Sequence, residues 1–165
     1  MKFIIISIIV VLNLILQSTT LQWFNILGTL PNTAIILVIS FAVHSGKKQG
    51  AIIGFFVGLL QDITFGRIIG MNALAYMLIG YTVGLTEQKI FKGNILIPII
   101  LTGLATIFYE LMNLLLIFLL GYRIELLNIF KKMLIVELIY NCILSPILYF
   151  YVSKLFKLDV MKKRQ

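Results

Sequence analysis

The chain is short of charge. Only 12% of its 165 residues are Asp, Glu, Lys or Arg, about half the usual share of about 25% in soluble domains. Acidic residues are scarcest, six in all against fourteen Lys and Arg. There is one Cys and one His. A single thiol cannot close an internal disulfide, and one His with one Cys cannot complete a zinc site. Cys142 sits in an apolar run and reads as a small buried hydrophobe. The residue sets that carry chemistry are also missing: no Ser/His/Asp grouping, no HExxH, no phosphate loop, no paired carboxylates on a shared loop. His44, beside Ser45-Gly46-Lys47-Lys48, reads as a loop residue rather than an acid–base catalyst. The expectation is a protein that is not an enzyme and uses no metal or cofactor.

What fills the chain is apolar. Hydrophobic residues make up 61%, against about 45–50% in an ordinary soluble domain, and the mean hydropathy is +1.07. A soluble globule of this size has too little interior to hide so much apolar surface. A water-soluble enzyme, a disordered chain and a DNA-binding domain are all excluded, and the bilayer is the expected solvent. Six apolar segments follow one another: Phe3–Leu21, Thr29–Val43, Gly46–Asp62, Ile68–Leu85, Ile95–Leu120 and Met133–Val152. A span needs about 17–25 residues. The last three meet that easily, the first two marginally, and the third only if its glycines are counted. The predicted fold is an all-α polytopic membrane protein of six transmembrane helices, one integral membrane domain over residues 1–165.

Orientation is read from the loops. With the N-terminus cytoplasmic, the inside holds Lys2, Lys47, Lys48, Lys89, Lys92, Lys154, Lys157, Lys162, Lys163 and Arg164, and the outside Arg67, Arg123, Lys131 and Lys132. That asymmetry fits the positive-inside rule with both termini cytoplasmic and a basic tail over 153–165. The same distribution argues against nucleic acid and for anionic lipid as the partner of the positive charge. No small-x-small cleavage site follows the first segment, so it reads as an uncleaved span, with Trp23 and Phe24 at the outer interface.

Glycines punctuate the middle of the chain. Gly46, Gly50, Gly54 and Gly58 recur every fourth residue, with Asp62 at the same interval; Gly66 and Gly70, then Gly80 and Gly84, repeat the spacing. Residues four apart stack on one helix face. Small residues there let another backbone come close, which drives helix association in lipid. The stripe reads either as tight packing inside the bundle, the favoured reading, or as a surface for a partner's helix. Asp62 ends the third segment, with Arg67 five residues on. A carboxylate at this depth must be paired, hydrogen-bonded or near water. Capping the start of the fourth helix through its backbone N–H groups is the favoured role, and a ligand or proton site the other.

Two polar stripes mark the last spans. The fifth carries Thr102, Thr106, Glu110 and Asn113, and the sixth Glu137, Asn141 and Ser145, all at helical spacing. Carboxylates facing lipid there would be costly, so both stripes are expected to face inward. They either hydrogen-bond each other or another subunit, or line a polar cavity for a small ligand. Pro98 and Pro146 are expected to weaken their helices locally.

The stretch from Gly54 through Gln61-Asp62, Gly66-Arg67 and Gly70-Met71-Asn72 to Leu74 resembles the MreD family of bacterial rod shape-determining membrane proteins. The family pattern is a glycine-bearing span, Gly-x-x-x-Asp, a short loop with Gly, then Leu/Ile-Gly-x-Asn/Thr-x-Leu. Gly80-Tyr81 and Pro31 also fit it. The resemblance implies a non-enzymatic scaffold of the cell-wall elongation complex in the bacterial plasma membrane. Its implied partners are an MreC-like bitopic protein and, indirectly, an MreB-like actin homologue, RodA and a class B penicillin-binding protein. It also implies a fold resembling the substrate-binding subunits of energy-coupling-factor transporters. The alternative function is therefore a micronutrient-binding transporter subunit, with Tyr109, Glu110, Asn113, Glu137, Tyr140 and Asn141 lining its cavity. On the scaffold reading, Gly50, Gly54, Gly58, Gly80 and Gly84 form a packing or partner interface. Asp62, Gly66, Arg67, Gly70 and Asn72 form the family turn, and Glu110, Asn113, Glu137 and Asn141 the intramembrane polar stripes.

Overall fold

A computed structural model describes residues 2–19, 30–66, 68–86, 96–119, 121 and 127–157. Arg67, the Trp23-Phe24 pair, the loop residues Lys89, Lys92 and Arg123, and the tail from residue 158 lie outside the described residues. All regular structure among the described residues is helical: α1 (Lys2–Thr19), α2 (Thr33–Ser45), α3 (Lys47–Phe65), α4 (Met71–Gly84), α5 (Leu96–Leu119) and α6 (Leu127–Lys157). Two of these contain stretches long and apolar enough to cross a membrane, Leu96–Leu116 and Leu134–Phe156.

The short helix α2 is the hub. It packs against each of the other five. Its sequence TAIILVISFAVHS is apolar on every face, the pattern of a helix buried all round. Every residue but the half-buried His44 is withdrawn from the surface. Thirteen residues rise only about 20 Å, less than a hydrocarbon core of about 30 Å; enclosed by other helices, α2 has no need to match lipid. The apolar run from Thr29 becomes helix only at Thr33, because Asn32 caps the helix by accepting the Ile35 N–H at 3.3 Å. One residue, Gly46, separates α2 from α3, and its φ of 82° suits glycine alone among common residues.

The closest pair is α3 with α4. A Cβ at Gly54 would collide with the Tyr76 carbonyl, one at Gly58 with the Asn72 carbonyl, and one at Gly80 with the Gly50 carbonyl. These pairings keep a single antiparallel register, and Gly84 closes it against the backbone of Lys47. The fourth apolar segment, read from Ile68, is helical only over Met71–Gly84, because Ile68 to Gly70 form the turn that enters it.

The outer helices are patterned inside out. On α5, Leu96, Ile100, Leu104, Leu111, Leu115 and Phe118 are exposed, while Thr102, Ala105 and Thr106 are buried. On α6, Ile135, Ile139, Ile143 and Ile147 are exposed, while Asn141, Ser145 and Tyr149 are buried. An apolar coat of this size would be an aggregation surface in water and is the expected surface in lipid. Pro146 removes the N–H that would serve the Cys142 carbonyl, and the Ser145 hydroxyl donates to that carbonyl at 3.0 Å instead. α6 therefore continues through its proline as one helix to Lys157.

Replacing Gly54 by Ala should lower stability by about 1–3 kcal/mol, the usual cost of overpacking. Gly103→Ala should be nearly neutral, since its Cβ would meet only the Cys142 Sγ, at 3.5 Å. Unfolding in mixed detergent micelles, followed by circular dichroism, reads the difference.

Candidate functional site

The polar groups collect where α3 ends and α2 and α4 begin. Asp62, 1% exposed, closes the last turn of α3 and turns its carboxylate onto the start of α4. Oδ2 accepts the N–H groups of Gly70 at 2.8 Å and Ala73 at 3.1 Å, and Oδ1 that of Asn72 at 3.1 Å. These are among the amides that a helix start leaves without internal partners. The negative charge also suits the positive end of the helix dipole. Gly70 reaches this position at φ 104°, left-handed backbone. Nothing lies within 4 Å of where its Cβ would be, so conformation, not space, calls for glycine there. Gly66 donates its N–H to the Asp62 carbonyl at 2.9 Å, ending α3.

From this turn, hydrogen bonds run inward. The Asn72 side chain accepts the Tyr109 hydroxyl of α5 at 2.7 Å. The Tyr76 ring lies 5.5 Å from that of Tyr109. Its hydroxyl faces Asn32 Oδ1 at 2.9 Å and Gln61 Oε1 at 3.2 Å. The Asn32 N–H donates to Asn141 Oδ1 of α6 at 2.8 Å. Asn141 Nδ2 in turn donates to Thr106 Oγ1 at 3.1 Å and to Glu137 Oε1 at 3.4 Å. Glu137 joins the network through Asn141, while Glu110 and Asn113 lie half-buried on α5. One network thus ties α2, α3, α4, α5 and α6 together, while the buried hydroxyls of Thr33 and Thr102 have no partner among the described residues.

The five stripe glycines lie between α3 and α4 of this same chain. Asp62, Gly66, Gly70 and Asn72 come together in the turn, and Glu137 and Asn141 in the network beside it. Sequence reasoning gave no role to Tyr76, Gln61 or Asn32, and Pro31 entered only as fitting the family pattern. Two signals were available: Tyr76 follows Asn72 by one helical turn, and an Asn directly before an apolar run is a natural N-cap. His44 is not in a loop. It lies in the last turn of α2, its Nδ1–H donates to the Ser40 carbonyl at 2.8 Å, and Nε2 lies 3.3 Å from the Ser153 hydroxyl. Its ring stacks on Phe156 with centroids 4.8 Å apart. Among the described residues, no group of three His, Cys, Asp or Glu could hold a metal ion.

A helical bundle with an apolar coat and an internally paired polar end is the architecture of an integral membrane protein. The family model described as rod shape-determining protein MreD matches residues 1–158, nearly the whole chain, and the protein belongs to that family. It is thus a rod shape-determining membrane protein. Neither the curated proteins nor the solved structures include a match to it.

Asp62→Ala should cost about 2–4 kcal/mol, since it strands backbone donors that a charged acceptor now serves. Asp62→Asn should fall between, because the amide oxygen can keep the N–H groups of Gly70 and Ala73 while its NH2 opposes the Asn72 N–H. Thermal unfolding in detergent checks the order. Asn141→Ala, which removes three interhelical or cross-network bonds, should lose about 1–2 kcal/mol at about 0.6 kcal/mol each.

Proposed function

We propose that this chain is a non-enzymatic, six-span scaffold of the cell-wall elongation complex, with both termini cytoplasmic. It binds an MreC-like bitopic protein. Through that contact it couples an MreB-like filament under the membrane to RodA and a class B penicillin-binding protein. The proposed fold likeness to energy-coupling-factor substrate-binding subunits belongs to the same reading. The observation that carries the proposal is the family match over residues 1–158. The polar interior supports it: Asn32, Asn141 and Thr106, and Asn72 with Tyr109, hydrogen-bond one another. The glycine stripe is occupied by α4, so a partner's helix meets other faces of the bundle.

The test is in vivo crosslinking followed by affinity purification of the tagged protein in mild detergent, with mass spectrometry of what co-purifies. An MreC-like protein and wall synthases are expected. A transporter's coupling subunit with paired ATPases would overturn the scaffold and turn the Glu110–Asn141 region into a ligand site. Topology is tested separately with single cysteines in a Cys142→Ser background. Cysteines at positions 48 and 165 should be labelled only from the cytoplasm, and one at position 123 from outside.

A further inference from the structure

α1 leans on α2 and leaves a groove between itself and α3. Its volume is about 360 Å³. Ile6, Val10 and Val11 form one wall, and Ile53, Phe56 and Leu60 are prominent in the other. Ser7 is the polar exception. Its α3 wall runs from Ile52 to Leu60, a rise of about 12 Å, most of the half-thickness of a hydrocarbon core of about 30 Å. At one end of this apolar strip, helical spacing sets Gln49 in line with Ile53, and the exposed Lys48 in line with Ile52 on the rim. One helical turn beyond the apolar wall thus stand a cation and an amide.

We propose that this groove is a binding site for one anionic phospholipid of the leaflet on the Lys48 side. An acyl chain lies between α1 and α3, and the phosphate meets the Lys48 ammonium and the Gln49 side-chain amide. Charge complementarity selects the headgroup, and the groove holds the chain more tightly than the convex apolar surface elsewhere on the bundle. The site asks only that the protein sit in a bilayer, so it stands apart from the scaffold reading.

The probe is native mass spectrometry of the full-length protein in mild detergent, given equal amounts of phosphatidylglycerol and phosphatidylcholine. The wild type should retain phosphatidylglycerol in preference by about fivefold, the worth of one Lys near an anionic surface at about 1 kcal/mol. Lys48→Gln should bring the two lipids to near equality, while Lys154→Gln, an exposed charge away from the groove, keeps the preference. Circular dichroism verifies that both variants fold. Equal retention by the wild type, or an equal loss in both variants, overturns the site. A photoreactive group at position 56 in native membranes should yield lipid adducts; a polypeptide adduct, from a second copy or another protein, would assign the groove to a helix and overturn the lipid.

Discussion

The approach of α3 to α4 is the contact on which the rest of the bundle depends. In lipid no hydrophobic force draws helices together, and their cohesion comes from dispersion at short range and from hydrogen bonds. Glycines on both helices remove the side chains that would hold the backbones apart. The same approach sets the Asp62 carboxylate over the first amides of α4 and brings Tyr76 beside Gln61. The packing and the cap support each other: the cap fixes where α4 starts, and the register of the glycines decides which residues it presents to α2.

α2 can be short, and apolar on every face, because that pair and the long helices α5 and α6 enclose it. Its polar end is the one place where an enclosed helix faces a difficulty, since its first amides would be stranded. Asn32 answers this in two directions. Its side chain caps α2 at Ile35, and its own N–H is taken by Asn141. The polar stripes of α5 and α6 thus have a structural function that their isolated patterns do not reveal: they supply acceptors and donors to a helix end that water does not reach.

Much of this was legible in residue spacing. The apolar runs gave the helices, and the four-residue interval of Gly50, Gly54 and Gly58 pointed to close backbone contact, though spacing cannot say whether the neighbour is α4 or another chain. Asp62 at the end of its segment suggested a capped turn. Helix ends were less legible: Leu30 to Asn32 and Ile68 to Gly70 adjoin apolar runs, and what stops the helices is local, the Asn32 side-chain cap and the left-handed Gly70, which hydropathy alone does not show. Tyr76 and Gln61 were illegible as a pair, because their meeting depends on the α3–α4 register. His44 was misread because basic neighbours suggest a loop, whereas its ring is held by Ser40 and by Phe156, more than a hundred residues away.

An interior organised in this way constrains how such a protein can act. Asn32, Asn72, Thr106, Tyr109 and Asn141 already hydrogen-bond one another, and they hold five helices in one register. What stays open is the outside: the apolar faces of α1, α5 and α6 and the groove between α1 and α3. α1 is the least embedded of the helices, resting mainly on α2. Its contacts stand apart from the α3–α4 pair and from the network at that pair's end. A core clasped by glycines, with one helix resting mainly on α2, leaves the outer apolar faces to whatever surrounds them in the membrane.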